Sequence, residues 1–205
     1  MSLLFANFSS DQICLQTSAH TLILAHQQSE YDIPCAYKTL MDKDGITDIV
    51  MLNGPWWFTG LRIWSLVCNM MHLLYPDRIR LYNLSKIALY QLLRDILPTQ
   101  VVMRIWQQKN YRLYDLQSQS YDLIQDIWGY QCFDTLYGTT HALSPDQMIT
   151  VQVTETWLLC LYWDKSMMLT WWDLAPYQTD HIDAQYYIQA HISPPKMHSS
   201  SWDNI

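Results

Sequence analysis

The hydrophobic pattern of the segment 46–74 changes once, at a cluster of residues that break regular structure. Ile46 to Leu52 is an apolar run that includes β-branched residues, which is typical of a strand buried on both faces. The breaker cluster Asn53-Gly54-Pro55 follows it. Apolar residues then recur at helical spacing, at Ile63, Leu66, Val67, Met70 and Leu74. A buried strand that turns directly into an amphipathic helix favours a helix packed on a sheet, and therefore an α/β protein.

The same alternation of strands and helices extends through the first half of the chain. Short strands are predicted at 12–16, 21–25 and 78–82, and a brief helix at 31–41. Asn83 or Ser85 is expected to cap a second long helix, which Pro98 ends. Strands that alternate with helices usually pair in parallel through right-handed crossovers. Residues 1–98 are therefore predicted as one α/β lobe.

The second half of the chain begins again with strands. A β-meander is predicted over 100–104, 111–116 and 121–124, then a short helix at Ser144-Pro145-Asp146 and strands at 157–162 and 167–170. We predict a second, reduced lobe over 99–192. The remainder, 193–205, is rich in Pro, Ser and His and is predicted as a flexible tail.

Charge and cysteine usage exclude several classes of protein. The formal net charge is −7 with only 12 Lys and Arg, which argues against broad contact with a phosphate backbone. The five cysteines form no Cys-x-x-Cys pair, as expected of reduced thiols in a cytosolic protein. The amino terminus does not resemble a signal peptide, and the apolar stretch 63–75 is shorter than the roughly 20 residues that span a bilayer. We predict a cytoplasmic protein that does not contact a membrane.

The common catalytic and metal-binding motifs do not occur in the sequence. There is no Walker phosphate loop, no Gly-x-Ser-x-Gly elbow and no His-Glu-x-x-His helix. The seven histidines are not spaced at i, i+3 or i+4, which argues against a metal site on a helix. The sequence therefore predicts no catalytic residue, no metal and no cofactor.

The run from Gly54 to Ile63 resembles the signature of the TsaB (YeaZ) family, which reads approximately G-P-G-S-F-T-G-[LV]-R-I-G after a strand. Eight residues match it in register: Gly54, Pro55, Phe58, Thr59, Gly60, Leu61, Arg62 and Ile63. The segment 13–18 is similar to the first strand of the family, with Gln16 where an aspartate is usual. Segments 103–111, 168–173 and 186–189 resemble later parts of the family pattern. The signature turn would comprise Gly54, Pro55, Trp56, Phe58 and Gly60.

The resemblance implies a two-lobed actin-like (ribonuclease H-like) ATPase fold and a non-catalytic role. Members of the family pair with a TsaD-like catalytic subunit. Together with a TsaE-like ATPase, they support the synthesis of N6-threonylcarbamoyladenosine at position 37 of tRNAs, and tRNA is contacted only through the complex. The TsaD subunit carries a His-x-x-x-His iron site, and this sequence has no such pair. A homodimer remains an alternative assembly.

The helix that begins near Gly60 is the predicted partner contact. Its predicted interface residues are Thr59, Arg62, Ile63, Leu66, Val67 and Met70. Alternatively, the same apolar face covers the sheet of its own lobe, and the contact surface is formed by Ser65, Asn69 and His72. Two other functions stay open: an independent actin-like ATPase or small-molecule kinase, and an interaction protein whose similarity to the family is accidental. The kinase would need acidic residues on the first strands and Gly-rich phosphate turns, and Gln16 lacks the acid.

The counts of glycine and tryptophan are both abnormal. The chain has 5 glycines and 10 tryptophans; together they would amount to an ordinary glycine content of about 7%. Trp56, Trp64 and either Trp171 or Trp172 fall where the family pattern has glycine, and Trp106 falls near another such position. Some bacterial lineages read UGA as glycine, and translation with a table that gives tryptophan would produce this pattern. The alternative is a tryptophan-rich protein with aromatic anchors at its interface.

Overall fold

The computed structural model describes residues 2–8, 13–25, 29–53, 58–104, 111–134, 145–155 and 157–182. The first half contains, in chain order, β1 Leu3–Asn7, β2 Ile13–Gln16, β3 Thr21–Leu24, α1 Ser29–Asp44, β4 Asp48–Asn53, α2 Phe58–Leu74, β5 Arg80–Ser85 and α3 Lys86–Leu92. The second half contains β6 Gln100–Arg104, β7 Tyr111–Asp115, β8 Ser120–Ile124, β9 Thr150–Val153, β10 Leu158–Tyr162, β11 Lys165–Leu169, α4 Trp171–Leu174 and β12 Gln178–Thr179. Two single 3₁₀ turns lie at Pro145–Gln147 and Ala175–Tyr177.

The main sheet is mixed and has the strand order β12-β5-β4-β1-β2-β3. Strands β1, β4 and β5 are parallel, whereas β2 and β3 continue the sheet as an antiparallel meander. Two three-stranded antiparallel sheets, β6-β7-β8 and β11-β10-β9, form the second half. The predicted α/β class, with mixed sheets and flanking helices, is confirmed.

The two faces of the main sheet contribute to two separate parts of the hydrophobic core. All six residues of β4 are buried, as the continuous apolar run predicted. One face packs on α1 and α2, through Leu4, Ile49, Met51, Leu81, Ile33, Leu40, Trp64 and Cys68. The opposite face packs on α3 and on the second half, through Val50, Leu52, Leu84, Leu89, Val101, Tyr114 and Leu158. The second half therefore shares its core with the first.

The chain returns to the first sheet near its carboxyl end. Strand β12 pairs antiparallel with β5, and the Ile182 side chain is buried in the core under α1 and α2. The predicted lobe boundary after residue 98 falls between α3 and β6. Residues 183–192 and the predicted tail 193–205 lie outside the described residues.

Strand β1 was not predicted, and the segment 12–16, predicted as the first strand, contains the second strand, β2. Leu3–Asn7 carries no alternating pattern, because four of its five residues are buried. Its strand conformation depends on pairing with both β2 and β4. Helix α1 is also longer than predicted, since Pro34 is accommodated inside it. Gly45 ends α1 at a φ of 60°, with its N–H donating to the Met41 carbonyl, a left-handed cap that glycine favours.

Candidate partner-binding site

Helix α2 presents three kinds of surface along its length. Trp64, Ser65 and Cys68 are buried against the sheet. Ile63, Val67 and Met71 are half-buried and pack on the edge of the same core. Four further apolar side chains lie in solvent, with exposed fractions of 60% for Leu66, 52% for Met70, 80% for Leu73 and 62% for Leu74.

The structure divides the predicted interface residues between core and surface. Ile63 and Val67 partly cover the helix's own core, as the alternative hypothesis expected of the whole face. Leu66 and Met70 project from the protein, and Arg62 beside them is exposed. The side chain of Thr59 lies outside the described residues. A contiguous apolar stripe of this kind on a surface helix is typical of an interaction site.

The alternative contact surface lies against the protein itself. Ser65 is buried. The Asn69 side chain accepts a hydrogen bond from the Ile182 N–H at 2.8 Å and donates one to the Ile182 carbonyl at 3.0 Å. The Nδ1 of His72 lies 2.7 Å from the Ile79 carbonyl, so it donates to that oxygen. These side chains join α2 to neighbouring segments of its own chain. Asn69 and His72 remain half-buried, and their role as a contact surface stays a prediction.

A groove of about 730 Å³ runs between α1 and α2. Its apolar lining comes from both helices and includes Tyr37, Met41, Ile63, Leu66, Val67, Met70 and Met71. Charged side chains of both signs, Glu30, Lys38, Asp42 and Arg78, also line it. An apolar groove between two helices, rimmed by charges, suits an amphipathic partner helix that inserts apolar side chains.

The signature residues stand at the junction that was predicted for them. Strand β4 ends at Asn53, and α2 begins at Phe58. Gly54, Pro55 and Trp56 lie outside the described residues. Phe58, Thr59 and Gly60 belong to the first turn of α2. The strand and the helix on either side of the signature turn are confirmed.

The carboxyl ends of the parallel strands carry neutral side chains. Strands β1, β4 and β5 end in Asn7, Asn53 and Ser85. In open α/β sheets, ligands bind at this edge, and Mg²⁺ requires carboxylate or other oxygen ligands there. Gln16 is the residue that stands where the family pattern usually has an aspartate. It lies on β2 and pairs antiparallel with Phe5. Asn7 is the residue at the end of the first strand, and sequence reasoning missed it because it missed β1.

An ion pair lies buried where β5 leads into α3. The Nζ of Lys86 contacts the Asp134 carboxylate, and their side chains are 2% and 10% exposed. Burial, followed by the nearby Asp134 carboxylate, raises the pKa of the Tyr90 hydroxyl well above its ordinary value. Ser85 caps α3 by accepting a hydrogen bond from the Ala88 N–H at 3.0 Å. A lysine in the first turn of a helix is disfavoured by the helix dipole. The position of Lys86 at the start of α3 was the only feature of the sequence that pointed to this ion pair.

Within the described ranges, no three His, Cys, Asp or Glu side chains are placed to bind a metal ion together. In the same ranges, the helices are too short or too polar to cross a lipid bilayer. Neither finding assigns a function to the surface.

Comparison with known proteins gives similarity at the level of structure. No family model matches the sequence, and no curated protein does. The chain is similar to YeaZ from Pseudomonas aeruginosa, with 18% identity and a TM-score of 0.41 over 60% of this chain and 66% of that one. It is also similar to an uncharacterised protein described as similar to peptidase YeaZ from Pseudomonas aeruginosa, with 19% identity and a TM-score of 0.40 over 60% of this chain and 63% of that one. The chain spans less than two thirds of each structure.

Proposed function

We propose that this protein is a non-catalytic scaffold subunit of the TsaB (YeaZ) type. It binds a TsaD-like catalytic subunit in the cytoplasm and, with a TsaE-like ATPase, supports the formation of N6-threonylcarbamoyladenosine at position 37 of tRNAs. tRNA is contacted through the complex. The observation that carries the proposal is the exposed apolar stripe of α2, formed by Leu66, Met70, Leu73 and Leu74, directly after the signature turn.

The position of the stripe supports a role in assembly. Helix α2 is held on the sheet by Trp64 and Cys68, so its outer face is a rigid surface. Leu66 and Met70 also line the groove, which gives a partner both a flat stripe and a recess. Solvent exposure of four large apolar side chains on one helix has an unfavourable hydration free energy, and a partner that covers them removes it.

The charges around the groove favour a partner helix with a matching polar flank. Glu30 and Asp42 are contributed by α1, as is Lys38, while Arg78 lies beyond the end of α2. Such rim charges mainly set orientation and association rate, whereas the buried apolar side chains supply affinity. The proposal therefore assigns the binding energy to the leucines and methionines.

The independent ATPase or kinase is less well supported. Asn7, Asn53 and Ser85 supply no carboxylate at the ends of β1, β4 and β5. Lys86, which directly follows β5, and Asp134 of the second half neutralise each other in a buried pair. A binding role needs neither a metal ligand nor a general base. It also explains why the apolar stripe of α2 is exposed, which an ATPase activity would not.

Reconstitution of the modification reaction tests the proposal. The purified chain is mixed with the TsaD-like and TsaE-like proteins of the same genome, the threonylcarbamoyl donor and unmodified tRNA, and modified adenosine is measured. We expect product only when this chain is present, and no ATP hydrolysis by the chain alone. Product formation that is unchanged when the chain is omitted would contradict the proposal. ATP turnover by the purified chain alone would favour the ATPase.

A further inference from the structure

Trp163 has a backbone conformation that tryptophan rarely adopts. It is the first of two residues in the tight turn between β10 and β11, whose last pair is Tyr162 with Lys165. Its φ is +55°, in the left-handed region. Among the described residues outside glycine, only Gln119 shares such a φ.

This turn geometry selects for glycine on steric grounds. In a two-residue hairpin loop, a positive φ at the first loop residue alone is the type II′ pattern, and glycine usually occupies that position. A side chain with a Cβ meets the backbone there, and a bulky residue makes the position a genuine outlier. Its backbone N–H donates to the Asp146 carbonyl at 3.1 Å, so the turn is fixed by a contact that any residue could make.

The indole of Trp163 gains little from its position. Its side chain is 60% exposed, so burial does not offset the strain of the backbone. Trp128 and Trp172 are exposed even more, at 76% and 80%. Trp64 is fully buried, but its indole N–H has no hydrogen-bond partner among the described residues. Three of the six described tryptophans are therefore more than half exposed, and Trp64 is buried without a hydrogen-bond partner for its indole N–H.

Trp171 differs from these residues. Its ring lies 5.0 Å from the Arg80 guanidinium carbon and packs edge-on against Tyr82, with the ring centroids 6.0 Å apart. The adjacent Trp172 is the more exposed of the pair. Trp56 and Trp106 lie outside the described residues. Trp163 is not among the tryptophans that fall at glycine positions of the family pattern. Its backbone conformation is nevertheless the clearest structural evidence that bears on the low glycine count.

We propose that position 163 is encoded by UGA and is glycine in the protein as its own organism makes it. The same reading applies to every other tryptophan of this sequence that a UGA codon specifies. The proposal accounts together for the strained turn, the exposed indoles and the low glycine count. It concerns the chemical identity of the chain and does not depend on the proposed function.

The gene and the native protein test this directly. The codon for position 163 is read from the genome, and the residue between Tyr162 and Asp164 is read by tandem mass spectrometry of protein from the native organism. We expect a UGA codon and a glycine. A UGG codon overturns the proposal, and so does a UGA codon with tryptophan in the peptide.

A recombinant pair tests the steric argument by itself. Trp163→Gly is compared with Trp128→Gly, which removes an even more exposed indole from a residue without a positive φ. We expect Trp163→Gly to raise the melting temperature by a few degrees and Trp128→Gly to leave it unchanged or slightly lower. A lower melting temperature for Trp163→Gly than for the parent chain would contradict the argument.

Discussion

Lys86 and Asp134 form a salt bridge in the interior, between the first residue of α3 and the segment that follows β8. Asp134 is held in place by its own N–H, which donates to the Val102 carbonyl of β6 at 2.9 Å. The pair thus fixes α3 of the first half to a strand of the second half. Both charged groups are buried, and the attraction between them offsets the free-energy cost of removing each charge from water.

Removing one member of this pair should destabilise the fold strongly. Lys86→Met leaves the Asp134 carboxylate buried without its cation, and we expect a loss of about 3–5 kcal/mol in the free energy of unfolding. The double variant Lys86→Met/Asp134→Leu removes both charges and should lose less than the single variant. Urea unfolding of the parent, the two single variants and the double variant measures this coupling. A loss in the double variant equal to the sum of the two single losses would show that the charges act independently.

The five thiols should react with a soluble disulfide reagent in distinct groups. Cys35 is exposed on α1 and should react first. Burial raises the pKa of Cys160 to about 12, and burial with the neighbouring Asp134 carboxylate raises that of Cys132 to about 12. These thiols stay protonated and covered at pH 8, as does Cys68, whose pKa burial raises well above its ordinary value.

We expect one fast thiol at pH 8, slow reaction of the half-buried Cys14, and release of the other three only in denaturant. The Cys35→Ser variant is the control and should lose the fast phase alone. Fast reaction of Cys68, Cys132 or Cys160 in the folded protein would contradict the described core.

Asp44 couples the end of α1 to the turn between β2 and β3. Its carboxylate accepts a hydrogen bond from the Thr17 hydroxyl at 2.6 Å and lies 2.8 Å from Nδ1 of His20. Desolvation acts to raise the pKa of Asp44, but these two hydrogen bonds outweigh it and the pKa is lowered. A carboxyl whose pKa is lowered by folding adds stability above its unfolded pKa, and this is lost as pH falls through the folded value.

We therefore expect Asp44→Asn to cost about 1 kcal/mol at pH 7. The difference from the parent chain should begin to shrink as the pH falls below the ordinary Asp pKa of about 4. It should disappear as the pH falls through the lowered pKa of the folded carboxyl. Asp42→Asn, an exposed change on the same helix, is the control and should have no measurable effect. Chemical unfolding at a series of pH values measures all three proteins. An Asp44→Asn deficit that is as large at pH 3 as at pH 7 would contradict the assignment.

The strand–turn–helix unit was predictable because its signals are local. A continuous apolar run, a breaker cluster and a helical repeat lie next to one another, and β4 and α2 follow them. Ser85 was predictable as a cap for the same reason. Strand β1 was not, since its conformation depends on partners at residues 13–16 and 48–53.

The faces of α2 could be ranked only with the structure. Periodicity groups Ile63, Leu66, Val67 and Met70 together, but it does not say which side of that group meets the sheet. Trp64 and Cys68 take that position, which turns Leu66 and Met70 outward. Asn69 and His72 are polar, but both hydrogen-bond to other parts of their own chain. Periodicity within the helix does not reveal these contacts, because Ile182 is distant in sequence and Ile79 lies beyond the helix end.

Helix α2 offers a matched pair of substitutions for testing the interface. Leu66 on α2 and Leu123 on β8 are similarly exposed, at 60% and 65%. A change to Asp at either position leaves the core intact, so both variants should fold and melt like the parent chain. Only Leu66→Asp places a charge in the proposed contact, where it would be buried without a partner on binding.

The affinity of the purified chain for the TsaD-like subunit of the same genome tests the central proposal most directly. Calorimetry is performed on the parent chain, Leu66→Asp and Leu123→Asp, with the mass of each complex measured by light scattering. We predict a one-to-one complex for the parent chain and for Leu123→Asp, and affinity reduced at least about tenfold for Leu66→Asp, a loss of about 1.4 kcal/mol or more. A parent chain that remains monomeric or binds only itself would contradict the account, as would a Leu66→Asp variant that binds as tightly as the parent.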